Sequence, residues 1–273
     1  MTATAFFTPD GDGFAPTAIA RGPWGKTISG NYVGGLLGHV LDRAVDDPDL
    51  QPARLTVDLC RPAALAPVQA STETIRSGRR LRLVDAVLRQ GDAVVARARA
   101  LFLRRGDQPD DRIWTGPISM PPPPPVPDPI PPGLTQLVWA FGRADLPPDP
   151  AQGLVPWQHT GPKHLWVRDL LPLVDGAELT PFTRAAMVGD MASSLTHFGP
   201  NGLQFINADY TLALARLPRG PYLGLTALTH VSDAGVATGT AALVDENGPI
   251  GTVVANAVSM PGFNPPTPKD YAG

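Results

Sequence analysis

One spacing recurs three times in this chain and limits its folds more than any other feature. Gly38 and Gly189, Asp58 and Asp209, and Pro67 and Pro218 are each separated by 151 residues. The neighbourhoods of these residues read alike. A mostly apolar run of helical length covers Gly34–Leu41, with Asn31 placed to cap its start. A second covers Ala185–Ala192. A helix that is apolar nearly all round is a buried helix. A glycine inside a helix costs about 1 kcal/mol relative to alanine, so Gly38 and Gly189 predict close approach of another backbone.

A strand follows each helix, at Leu55–Leu59 and at Ile206–Tyr210. Each half then closes on a long hairpin. The first runs from Arg80–Gln90 through Gly91-Asp92 into Val94–Leu103. There Ala96, Ala98, Ala100 and Phe102 alternate with Arg97, Arg99, Leu101 and Leu103, a period of two that marks a half-exposed strand. The second runs from Ala237–Val244 through Asn247-Gly248 into Ile250–Met260, and Asn-Gly between alternating apolar residues is a strong hairpin signal. The pattern predicts a duplicated helix-plus-antiparallel-sheet unit.

Proline separates the halves. Sixteen of the 33 prolines fall between Asp107 and Pro162, nine of them within Pro121–Pro132. Such a run favours extended polyproline II and cannot continue a helix or a central strand. It predicts a semi-rigid surface connector without regular structure. The chain then divides into a first unit at 1–106, a Pro-rich linker at 107–162 and a second unit at 163–273.

Composition excludes several classes. With 43% apolar residues and a net charge of −3, the chain can build a core and lacks the basic excess of a dedicated nucleic-acid binder. No apolar run approaches the ~18 residues of a membrane span. The acidic, polar start has no signal-peptide pattern. The single cysteine, Cys60, can make neither an internal disulfide nor a cysteine zinc site, and as a strand residue it is expected to be buried. His159, His164, His197 and His230 show no metal-ligand spacing, so no metal is assigned. A cytoplasmic location is expected.

The first half carries Gly34-Gly35-x-x-Gly38, Arg61-Pro62, Thr74-x-Arg76-x-Gly78-Arg79 and Val94-Val95-Ala96-Arg97-Ala98. The second carries Leu165-Trp166-Val167-Arg168, Val188-Gly189-Asp190-Met191, Asn207-Ala208-Asp209-Tyr210-Thr211 and a closing strand through Asn256. In this order the motifs resemble acyl-CoA thioesterases of the bacterial thioesterase II type. The resemblance implies an α+β double hotdog, with two long buried helices wrapped by a continuous antiparallel β-sheet. It implies hydrolysis of a fatty acyl-CoA to free acid and CoA by direct water attack. No cofactor is needed, because coenzyme A enters as part of the substrate. The alternative on the same fold is a non-catalytic acyl-CoA or lipid-binding protein. Self-association is left open.

By that resemblance Asp190 takes the place of the family's helix aspartate, Asn207 that of a strand threonine and Asn256 that of a strand glutamine; together they are expected to hold the attacking water. A carboxylate on an apolar helix should have a raised pKa unless hydrogen-bonded, and an amide can orient a water. The helix start from Asn31 through Gly34 and Gly35 offers free N–H groups for the thioester oxygen. His39 stands where Asp190 stands in the other half; it either lines a second, altered site or is a neutral interior histidine. Arg76 and Arg79, with Arg80 and Arg82, form the densest basic group and are candidates to grip the phosphates of coenzyme A. Met187, Met191, Leu195 and Phe198 are candidates for an acyl-chain wall.

Overall fold

The computed structural model describes residues 3–143 and 145–264. The chain begins with a hairpin, β1 (Phe7–Asp10) and β2 (Gly13–Pro16), followed by helix α1 (Gly30–Arg43). Four strands come next: β3 (Leu50–Leu59), β4 (Val68–Ser77), β5 (Leu81–Gln90) and β6 (Ala93–Arg104). The second half opens with β7 (Gln136–Phe141) and β8 (His164–Asp169) and continues into helix α2 (Pro181–His197). It ends with β9 (Phe198–Gly199), β10 (Gly202–Leu203), β11 (Phe205–Asn207), β12 (Asp209–Leu214), β13 (Tyr222–Asp233), β14 (Val236–Asp245) and β15 (Gly248–Ser259).

All of these strands except β9 and β10 belong to one antiparallel sheet in the order β1-β2-β4-β5-β6-β3-β12-β15-β14-β13-β8-β7, with β11 also pairing β15. Each half contributes a leading hairpin, a three-strand meander and the strand that follows its helix. The halves join edge to edge where β3 meets β12, and there Thr56 and Thr211 face each other with their hydroxyls 3.0 Å apart. Inward positions along the strands are apolar: Leu55 and Val57 on β3, Ala96, Ala98, Ala100 and Phe102 on β6, Tyr210 and Leu212 on β12. Both helices contribute to the same core, α1 through Leu36, Leu37 and Leu41 and α2 through Ala185, Met187 and Val188.

The 151-residue spacing holds for the helices, since α2 begins 151 residues after α1. It does not hold for the meanders: β14 and β15 begin 155 residues after β5 and β6. Part of the difference lies in α2 itself, which at 17 residues is longer than the 14-residue α1. Two other expectations are corrected. The strand expected at Ile206–Tyr210 is two strands, broken at Ala208. Cys60 is exposed just past the end of β3 rather than buried in it.

The helices pack antiparallel at very short range because of glycine. A Cβ on Gly38 would lie 2.7 Å from the Ala186 Cβ, so that position does admit another helix. Gly189 serves differently: what fills its space is the ring of Tyr210, 2.9 Å from a would-be Cβ, and not a backbone. The same ring tip rests against Gly34, and its hydroxyl donates to the carbonyl of Ala186 at 2.8 Å. Tyr210 is thereby wedged between the two helices, with its buried phenol satisfied.

The proline-rich span is not a free connector. Residues 105–135 have no helix or strand, but Trp166 donates its indole N–H to the carbonyl of Pro121 at 2.8 Å, and Tyr222 its hydroxyl to that of Pro124 at 2.9 Å. Ile118, Met120, Val126 and Leu134 pack on Leu137, Trp139, Trp166, Tyr222 and Val244. The span is therefore a strap over the outer face of the second-half sheet. That explains the run Leu165-Trp166-Val167, which is apolar and buried at every position instead of alternating. The linker expected at 107–162 also contains β7, a full member of the sheet.

Two outcomes follow. Gly38→Val must force the helices apart and should lower stability by about 1–3 kcal/mol, measured by urea denaturation. Trp166→Ala should cost about 3–5 kcal/mol and release the strap, seen as faster proteolysis between residues 107 and 135.

Candidate functional site

Asp190 sits midway along α2, on the side that meets the start of α1. A Cβ on Gly30 would lie 2.8 Å from both of its carboxylate oxygens, so only glycine lets the first turn of α1 come so close. Asn207, on β11, donates its amide N–H to Asp190 Oδ1 at 2.8 Å. Burial pushes the Asp190 carboxyl up to about 6, and the Asn207 hydrogen bond opposes that rise. Of the expected pairings this one is present: Asp190, Asn207 and the start of α1 meet.

The first turn of α1 differs from the expected one in detail. Its N-cap is Ser29, not Asn31, and the Ser29 side chain makes no capping bond. Tyr32 and Val33 N–H donate to the Ser29 carbonyl, whereas the N–H groups of Gly30 and Asn31 meet no protein acceptor among the described residues. These two donors lie at the positive end of the helix, in the turn that touches the Asp190 carboxylate. Gly34 and Gly35 lie deeper, where N–H groups are used in the helix ladder. Their expected part in binding the thioester is corrected: they make room for Tyr210 and for Met187 and Leu173.

Asn256 does not join this group. It is exposed on β15, and its backbone and side-chain N–H groups are all taken by Asp209, at 2.9–3.0 Å. The strand period explains the miss. Inward residues of β15 are Val253, Ala255 and Ala257, which puts Asn256 on the opposite face. The residue in register with Asn207 is Ala257, which carries no polar group.

Arg76 and Arg79 are exposed at the β4–β5 turn. Arg104, which donates to the Arg79 carbonyl, also pairs with Asp47 and Asp49, just past the C-terminal end of α1. The basic group thus lies at the end of α1 opposite to Gly30, about 20 Å away for a helix of this length. It does not assemble with Asp190.

His39 lines a cleft of about 550 Å³ with Phe14, Val40, Arg43 and Asp175. Burial first, then Arg43, lowers its pKa, while Asp42 opposes this, so the imidazole is neutral near pH 7. The helix start it faces is partly closed. Pro181 has no N–H, Thr180 Oγ1 accepts from Thr183 N–H, and the Thr180 hydroxyl donates to Asp42 at 2.7 Å. The start of α2 thus offers one N–H without a protein acceptor among the described residues, that of Phe182, against two at the start of α1.

Met187 and Leu195 are wholly buried in the core, Met191 partly so. Phe198 lines a second cavity of about 370 Å³ with Leu154, Val155, Leu203 and Phe263. Sequence reasoning missed a contact between two histidines. The Nδ1 atoms of His197 and His230 are 2.9 Å apart, so one donates to the other. Burial, then His230, lowers the His197 pKa to about 4. Their separation of 33 residues carries no local signal. Among the described residues, no three His, Cys, Asp or Glu side chains gather to hold a metal ion.

The half-buried carboxylate carries a stability cost whose sign follows from linkage. Asp190 titrates at about 6 when folded, against an ordinary value of 3.8. Between those values the folded state retains a proton that the unfolded state has lost, so stability falls as pH rises through the window. Asp190→Asn removes this cost and should stabilise the protein by about 2–3 kcal/mol at pH 7.5. The gain should vanish below pH 4, as urea midpoints at the two pH values will show.

Residues 20–103 match the family described as acyl-CoA thioesterase N-terminal domain, and residues 117–258 its C-terminal domain. Among curated proteins no sequence matches. Similar solved structures include a tesB protein of Mycobacterium avium subs paratuberculosis, with TM-score 0.65 and 15% identity over 94% of this chain and 97% of that one. The acyl-CoA thioesterase II TesB2 of Mycobacterium marinum has TM-score 0.61 and 18% identity, covering 95% and 96%. A protein with hot dog fold from Alicyclobacillus acidocaldarius has TM-score 0.54 and 18% identity, also covering 95% and 96%. These likenesses carry the fold, and the family matches span both halves of the chain. An α+β protein of hotdog type, with a half-buried aspartate set against an open helix start, the chain belongs to the acyl-CoA thioesterase family and is a thioester hydrolase.

Proposed function

We propose that the protein hydrolyses a fatty acyl-CoA by direct attack of water, on a double hotdog whose two central helices are wrapped by the shared sheet. The observation that carries this reading is the Asp190 carboxylate pressed against the first turn of α1. A water beside Asp190 Oδ2 loses a proton to that oxygen as its own oxygen bonds the thioester carbon. The carbonyl oxygen gathers negative charge, which the Gly30 and Asn31 N–H groups and the helix dipole stabilise; donors aimed this way are typically worth several kcal/mol. The C–S bond then breaks, the acid departs, and the thiolate of coenzyme A takes the proton back from Asp190. Asn207 fixes the carboxylate through its other oxygen. A carboxyl that titrates at about 6 is close to the ideal for a base working near neutral pH. Phe198 and Phe263 offer apolar walls for the acyl chain in the cavity at the C-terminal end of α2. The chemistry takes place in a cytoplasmic setting.

The test is release of free thiol from acyl-CoAs of graded chain length. Asp190→Asn should lower kcat by about 10²–10⁴ with acyl-CoA affinity kept. The wild-type kcat should fall on the acid side with an apparent pKa of about 6. Tight binding of every acyl-CoA without turnover would instead favour a non-catalytic binding protein.

A further inference from the structure

We infer that the side chain of Asn31, and not that of Asn256, completes the water-holding group around Asp190. This rests on the proposed hydrolysis for its chemical meaning and on independent geometry for its placement. Asn31 belongs to the α2-facing side of α1. It lies one turn before Gly34 and Gly35 and two turns before Gly38, and the space in front of Gly35 and Gly38 is filled by Met187 and Ala186 of α2. Its predecessor Gly30 touches the Asp190 carboxylate. Asn31 therefore projects into the seam between the helices at the level of Asp190.

Its burial is what calls for a partner. Asn31 is only 6% exposed, and its Oδ1 has no hydrogen-bond partner among the described residues. Leaving a buried polar oxygen unmet costs on the order of 1–3 kcal/mol, so such groups are normally satisfied by protein or water. Among the described residues the one side-chain hydrogen bond to Asp190, from the Asn207 amide, goes to Oδ1, and Ala257, in register with Asn207, has no polar side chain. What remains are two acceptors, Asn31 Oδ1 and Asp190 Oδ2. A water fits between two acceptors by donating one hydrogen to each. Its lone pairs then face away from both, toward the place where a thioester carbonyl meets the Gly30 and Asn31 N–H groups. That is the orientation an attacking water requires.

Two substitutions test the assignment. Asn31→Ala should lower kcat at least about tenfold, with KM changed less than about twofold, because the lost contact is to the water and not to the acyl-CoA. Asn31→Asp keeps the shape and sets a second carboxylate beside the first. Like charges at such range disfavour joint ionisation, so the acid limb of kcat should move up by about one pH unit or more. The same rise should appear for the Asp190 carboxyl in a ¹³C NMR titration of the ligand-free protein, which needs no turnover. Wild-type kcat in Asn31→Ala would overturn the inference, as would an unmoved Asp190 titration in Asn31→Asp. If the wild type releases no thiol but the NMR titration shifts, the hydrolysis fails and the placement of Asn31 beside Asp190 stands.

Discussion

Everything in the site depends on how closely α1 and α2 approach. Glycines at 30, 34, 35 and 38 strip one side of α1 down to backbone, and Gly189 does the same for a position on α2. Tyr210 fills the remaining wedge and ties itself to the Ala186 carbonyl. A helix this rich in glycine is a poor helix by itself; burial against the sheet and the partner helix offsets that weakness. The return is positional. Asp190 can touch the start of α1 only because Gly30 carries no side chain.

That contact places opposing influences on one carboxyl. Removal from water penalises its charge, and the Asn207 hydrogen bond restores part of it. The result is a group that ionises near neutrality at the expense of the folded state. Groups tuned in this way tend to cluster at functional sites. The other half lacks this tuning. His39 occupies the matching helix position, but the helix start it faces is partly closed by Thr180, Pro181 and Asp42. The duplication thus kept its architecture in both halves and the more open helix start in one.

The family motifs led directly to Asp190 and Asn207, because each lies in a short run whose neighbours identify it. Asn256 failed for a reason the alternation of its own strand already contained: Val253, Ala255 and Ala257 take the inward face, which turns Asn256 outward to Asp209. Arg76 and Arg79 lie apart from Asp190 because a charge cluster has no direction in a sequence, and the fold carried it to the far end of α1. In the sequence Asn31 reads as a helix cap and as the start of the stretch that meets the thioester oxygen, whereas its distinguishing property is a buried Oδ1 without a partner among the described residues, which no linear pattern announces.

By itself, the sequence determined the duplicated helix-and-sheet order, the helix and hairpin positions and the proline-rich break, since hydrophobic period, glycine and proline act through local backbone geometry. Tertiary structure decided what those local signals cannot encode. It set the edge-to-edge join of β3 with β12, the docking of the proline strap under Trp166 and Tyr222, the meeting of His197 with His230, and the choice of Gly30 as the residue against Asp190. Each of these depends on distances between segments far apart in the chain, and those distances are fixed only when the whole core packs to density.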